Sequence, residues 1–219
     1  MKTTGIYGVS KDRNKLFTET TESCKGIKIY NERLIKKRGK EYRSWNPYRS
    51  KLATAILNGL SIELKPEYNI LYLGAATGTT VSHISDIVKN GTVYSVESSP
   101  VALKKLINVS EKRTNIVPIL EDANHPDRYY SIVSPVDLVY QDISQRNQAE
   151  IFMENIKRYL KKDKKGLLMV KSRSIDVSLN PKKAYDLVCS KLEDNGLKIE
   201  DIIDLKPYEK DHAAILVKY

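Results

Sequence analysis

Asn69-Ile70-Leu71-Tyr72-Leu73-Gly74-Ala75-Ala76-Thr77-Gly78-Thr79-Thr80 is a short apolar run that stops at a glycine, turns through small residues and resumes at helical spacing. Apolar side chains at consecutive positions predict a strand buried on both faces, followed by a tight turn into a helix over residues 79–89. The pattern recurs downstream. Residues 92–96, 116–120, 136–140 and 166–170 read as strands, and residues 100–111, 145–160 and 182–195 as the helices between them. Two strands, 197–205 and 213–218, end the chain across a polar, proline-containing loop. Strands alternating with helices predict an α/β fold, a parallel Rossmann-like sheet with both faces covered.

Upstream the pattern changes. Gly5-Ile6-Tyr7-Gly8-Val9 and Gly26-Ile27-Lys28-Ile29-Tyr30 alternate briefly between glycines, predicting short strands and hairpins in a small β-rich domain over residues 1–44. The α/β domain then occupies residues 45–219, opening on a helix with Asn46 as cap and Pro47 at its first position. Charge divides near the same place. Residues 1–51 hold 14 Lys and Arg against 5 Asp and Glu, a balance of +9 within a total of +10. From Arg33 through Lys36, Lys37, Arg38, Lys40 and Arg43 to Arg49 and Lys51, cations interleave with Tyr42, Trp45 and Tyr48, a mixture suited to phosphates and unpaired bases.

Several classes of function are excluded. No apolar run is long enough to span a membrane and no apolar segment follows the first basic residues, so an intracellular, cytoplasmic protein without a membrane partner is expected. Cys24 and Cys189 stand far apart with three histidines in the chain, which argues against a disulfide framework or a structural metal; no metal is expected.

The turn after the first α/β strand fits a nucleotide-type ligand, because Gly74, Ala75 and Gly78 let backbone approach it and a helix N-terminus follows. It is neither GxGxxG nor a P-loop, so a pyrophosphate or triphosphate is poorly served. Glu97 closes the second strand, where a carboxylate can accept from both ribose hydroxyls. Asp122-Ala123 follows the third, where a carboxylate can accept from the amine of adenine, and Asp142 follows the fourth. Acids after successive strands suit a ligand with ribose, adenine and positive charge, and would repel phosphate. S-adenosylmethionine fits that description better than a nicotinamide dinucleotide.

Six stretches carry a resemblance. Trp45-Asn46-Pro47-Tyr48-Arg49-Ser50-Lys51-Leu52-Ala53, Tyr72 through His83, Val96-Glu97-Ser98-Ser99-Pro100, Glu121-Asp122-Ala123-Asn124-His125-Pro126, Tyr140-Gln141-Asp142-Ile143-Ser144-Gln145 and Val170 through Asp176 together resemble the fibrillarin family in its short archaeal form. The resemblance implies an S-adenosylmethionine-dependent methyltransferase fold behind a small β-rich domain, acting on ribose 2′-hydroxyls of rRNA or tRNA chosen by a box C/D guide RNA. It also implies a Nop-family scaffold protein and a kink-turn-binding ribosomal-type protein as partners. By the same resemblance, cofactor contacts fall on Thr79, Thr80, Glu97, Ser98, Asp122, Ala123 and the turn of Asp142, Ile143, Ser144 and Gln145. A catalytic tetrad falls on Lys51, Asp142, Lys171 and His212. Ser98 stands where the family usually carries an aromatic residue, Ile143-Ser144 replaces its commoner Val-Ala, and the Gly/Arg-rich tail behind a nucleolar address is missing.

On this reading Lys51 and Lys171 converge on Asp142 with His212 at the edge, and Lys171 takes or orients the proton of the 2′-hydroxyl. Two alternatives compete: a nicotinamide-dependent oxidoreductase, which lacks its phosphate-binding motif here, and a non-catalytic RNA-binding scaffold on the same fold.

Overall fold

A computed structural model describes residues 2–219. The chain begins with β1 (Lys2–Thr3), β2 (Val9–Asp12), β3 (Lys15–Glu19), β4 (Leu34–Lys37) and β5 (Lys40–Trp45), an antiparallel sheet in the order β1-β2-β3-β5-β4. Neither stretch from which strands were expected here is one, apart from Val9. Gly5, Gly8 and Gly26 have φ of +87°, +66° and +78°, which turns the chain. Beyond Gly26, the N–H groups of Ile29 and Tyr30 bind the Glu32 carboxylate at 2.8–3.0 Å instead of a neighbouring strand.

The expected helix at Pro47 is two pieces. Asn46 caps a single 3-10 turn, Pro47–Arg49, by accepting from the Tyr48 N–H, and Ser50 then caps α1 (Lys51–Leu57) by accepting from that of Ala53. Next come β6 (Ile70–Leu73), α2 (Thr79–Ile87), β7 (Val93–Glu97), α3 (Pro100–Ser110), β8 (Ile116–Leu120), β9 (Val136–Gln141), α4 (Gln148–Tyr159), β10 (Leu160–Lys171), α5 (Ser172–Ile175), α6 (Pro181–Asp194), β11 (Lys198–Asp204) and β12 (His212–Lys218). They build a seven-stranded sheet in the order β11-β12-β10-β9-β6-β7-β8. The sheet is mixed rather than parallel throughout. β12 runs antiparallel to β10 and β11, because a short polar loop joins β11 to β12 where a parallel pair would need a crossover.

Period two sorts the core. Ile70 and Tyr72 of β6 face α1, α2 and α3, while Leu71 and Leu73 face α4 and α6. The order reverses beside β6, so the turns after β6, β7, β8 and β9 open on one edge of the sheet, the usual ligand crevice of an α/β fold.

The small sheet packs on α2. Leu16 and Trp45 join the apolar layer of α1 and α2, and Trp45 stacks on His83 with ring centroids 4.8 Å apart. Arg43 is fully buried, pairing with Glu32 at 2.6 Å and Asp86 at 2.8 Å while donating to the carbonyl and hydroxyl oxygens of Ser82. Arg43 and Trp45, expected among the RNA-facing residues, therefore belong to the interior.

Candidate active site

Gly74 cannot be another residue: its φ is +81° and a Cβ would collide with the carbonyl of Asp142. Gly78 has φ +87° and would place a Cβ 2.9 Å from Leu106 of α3. Both glycines serve close packing of the turn against the neighbouring strand end and helix, in addition to any approach by a ligand. Ala75 is buried, and Ala76 adopts φ +48°, which aims its N–H at Glu97.

Glu97 is fixed by two backbone donors, Ala76 N–H on one oxygen and Ser99 N–H on the other, each at 2.8 Å. Each oxygen keeps a lone pair free for a further donor. Ser98 beside it is exposed. In Asp122, Oδ1 accepts from the Asn124 backbone and side chain at 2.9 and 2.8 Å; these bonds hold the carboxyl below its ordinary range and leave Oδ2 free. Gln145 accepts from Asn124 at 3.0 Å, tying the Asp122 loop to the 142–145 turn, in which Ile143 is half-buried and Ser144 exposed. Thr79 opens α2, while the Thr80 hydroxyl is buried and donates to Ser50 Oγ at 3.0 Å.

Lys51 and Asp142 form an ion pair of 2.6 Å, with side chains 19% and 21% exposed. Lys171 does not join them, and among the described residues it makes no ion pair. It lies instead opposite His212 in the β10–β12 ladder. The expected convergence of both lysines on one carboxylate is thus half realised, since β10 sets Lys171 beside β12 and α1 sets Lys51 on Asp142. His212 Nδ1 lies 2.6 Å from the Lys210 carbonyl, which can only accept, so Nδ1 carries a proton. Under Asp142, Tyr72 and Tyr140 pack at 4.4 Å; burial, with the Asp142 charge adding to it, pushes both phenols well above their ordinary value, which makes them neutral scaffolding.

Three supporting residues escaped the reading of the sequence. Gln148 is fully buried; its carbonyl accepts from Gln141, its amide donates to the Gln145 carbonyl at 3.0 Å, and its Oε1 lies 3.4 Å from the Lys171 N–H. Asn155, equally buried, donates to the Ala123 carbonyl at 3.0 Å. Ser50 couples the cap of α1, and hence Lys51, to Thr80. The signal for the first two was present: Gln148 and Asn155 fall on the apolar stripe of α4 with Ile151, Phe152 and Ile156, where a polar side chain needs a buried partner.

The donor set fits a nucleoside carrying positive charge. Glu97, Asp122 and Asp142 offer acceptors at three successive strand ends, and residues 74–80 contain no Lys or Arg for a phosphate.

The chain is similar to known proteins along its whole length. The family model described as fibrillarin matches residues 1–219. The chain is 49% identical over 215 residues to the fibrillarin-like rRNA/tRNA 2′-O-methyltransferase of Methanothermobacter thermautotrophicus, covering 98% of this chain and 95% of that protein. Aeropyrum pernix fibrillarin, solved with natively bound S-adenosyl-L-methionine, superposes with a TM-score of 0.83 at 39% identity, covering 97% of this chain and 98% of the other. The fibrillarin in a solved fibrillarin/Nop5p complex gives 0.90 at 40% identity, with the same coverage.

Proposed function

This chain belongs to the fibrillarin family, and from that premise we infer that it is an S-adenosylmethionine-dependent methyltransferase acting on ribose 2′-hydroxyls of rRNA and tRNA, with a Nop-family protein as partner. Within that activity we assign Glu97 to the ribose of the methyl donor, Asp122 and Ala123 to its adenine, and the turns at Gly74–Thr80 and Asp142–Gln145 to the remainder. A box C/D guide RNA and a kink-turn-binding protein complete the proposed assembly, and base pairing selects the target. The observation that carries the assignment is Glu97, a carboxylate locked by Ala76 and Ser99 with spare acceptor capacity at the strand end where a ribose would lie.

The bound cofactor supplies an electrophilic methyl on a sulfonium, already a good leaving group. The protein must therefore align the 2′-hydroxyl and manage its proton. The preformed Lys51–Asp142 pair fixes the floor of the site, and Lys171, free of a carboxylate partner, takes or orients the hydroxyl proton. His212 flanks Lys171 across the strand pair.

Calorimetric titration tests the assignment. Wild-type protein should bind S-adenosylmethionine and ignore NADH, and Glu97→Ala should weaken binding roughly 10–100-fold, the effect of losing charge-assisted hydrogen bonds. Equal binding by Glu97→Ala would overturn it.

A further inference from the structure

Two open grooves run along the seam between the small sheet and the α/β domain, and they meet at the same residues. The larger, of about 1160 Å³, carries Arg13, Lys15, Arg33 and Lys37 along its outer wall and Tyr48 and Tyr208 toward the α/β domain. The smaller, of about 580 Å³, carries Lys28, Lys105 and Lys112 and ends at Thr77 and Thr79 of the cofactor turn. Tyr30, Asn31 and Arg49 line both, with the Arg49 guanidinium 5.2 Å above the Tyr30 ring.

The charge of this track is uncompensated. Every one of these lysines and arginines is exposed, and none forms an ion pair among the described residues. The acids lining the two grooves are Asp12, which is exposed, and Glu32, which is consumed by Arg43 and backbone N–H groups. Tyr48 is 68% exposed on the Pro47–Arg49 turn, its ring edge-to-face with Tyr208 at 5.1 Å, and Lys51 follows three residues later. A positively charged groove that follows a backbone, set with exposed aromatic faces, is the physical form of a single-strand nucleic-acid site.

We propose that this seam binds an unpaired stretch of RNA flanking the reactive ribose, with Arg49 at the junction of the grooves contacting phosphate and Tyr48 stacking on a base. Identification of the strand rests on the ribose-methylation reading; the binding itself is measured separately. The track positions substrate and takes no part in the transfer.

The test uses the full chain and a fluorescein-labelled oligouridine of about twelve nucleotides, with anisotropy read across a salt series. Arg49→Ala should lower the slope of log affinity against log salt by about 0.7, the effect of one lost phosphate contact on a single strand. Tyr48→Ala should cost about tenfold in affinity with little change of slope, and Tyr48→Phe should restore it. Lys198→Ala, at the end of β11 remote from the Tyr208 loop, should change neither. Arg49 and Tyr48 variants that behave like Lys198→Ala would overturn the proposal, as would displacement of the probe by polyglutamate as readily as by unlabelled oligouridine, which would mark a site for acidic polypeptide. S-adenosylmethionine titration of each variant should match wild type, so failure of the groove and failure of the cofactor assignment are read independently.

Discussion

In the large sheet, neighbouring residues of one strand go to opposite apolar layers, Ile70 and Tyr72 to one and Leu71 and Leu73 to the other. The small sheet combines a few apolar side chains with a buried polar cluster in which Arg43 of β5 joins Glu32, just before β4, to Asp86 of α2, and Arg113 pairs with Asp86 from beyond α3. Burial alone would raise Glu32, but Arg43 and the Tyr30 and Ile29 N–H groups outweigh it and hold the carboxyl below its ordinary range. His83 lies in the same cluster, its Nδ1 2.8 Å from Thr18 and its Nε2 2.6 Å from Tyr30; burial, with Arg43 and Arg113 adding to it, drives its pKa well below the ordinary value. A neutral ring has one N–H. That N–H goes to one of two hydroxyls that each have an acceptor of their own: Thr18, which reaches Asp86 at 3.0 Å, or Tyr30, which reaches the Ser44 carbonyl at 3.0 Å. The large sheet therefore rests on area, and the small sheet's seat rests on correctly paired charge.

The sharpest way to break that contrast is Arg43→Met. It removes the one cation paired with buried Glu32 and one of the two paired with buried Asp86, and should cost about 3–5 kcal/mol in urea unfolding. A loss under about 1 kcal/mol, the range of exposed pairs, would show that the cluster is not what seats the small sheet.

Acid should separate the two regions next. The depressed folded pKa of His83 contributes stability that is complete above its unfolded value of 6.5 and is lost as pH falls from there; Glu32 contributes in the same sense below its unfolded value of 4.5. Stability should therefore decline from about pH 6.5 downward, and hydrogen exchange should report β3 and β5 opening before β6 and β9. Uniform loss of protection in both sheets would contradict the comparison.

These differences decide what the sequence could disclose. The strands and helices of the large sheet follow from apolar periodicity, and Glu97, Asp122 and Asp142 stood out because they end its strands. Strands of the small sheet were misplaced, since Gly5, Gly8 and Gly26 mark turns and Glu32 occupies the backbone of residues 29–30. Arg43 looked like one more surface cation in a basic run, because its partner Asp86 lies 43 residues away in α2. The Lys51–Asp142 pair spans 91 residues and came from the family resemblance, not from spacing. Gln148 was legible only as a polar break in an apolar stripe.

A smaller effect tests the inner frame of the site. Gln148→Ala removes the link between the Gln145 carbonyl and the Lys171 backbone, and should lower turnover about tenfold while leaving the urea midpoint within the range of ordinary single substitutions. Unchanged turnover would reduce Gln148 to a packing role. Smallest of all, Lys25→Ala, which removes the exposed Glu22–Lys25 pair, should leave both stability and turnover at wild-type values.

Ribose methylation with Lys171 managing the hydroxyl proton, as proposed above, is measured by assembling the chain with a Nop-family protein, a kink-turn-binding protein, a guide RNA and its target, and following transfer of labelled methyl to the target 2′-oxygen. Wild type should methylate the one paired nucleotide, and Lys171→Ala should be slower by about 10²–10⁴ with S-adenosylmethionine binding intact. Full turnover by Lys171→Ala would contradict the account.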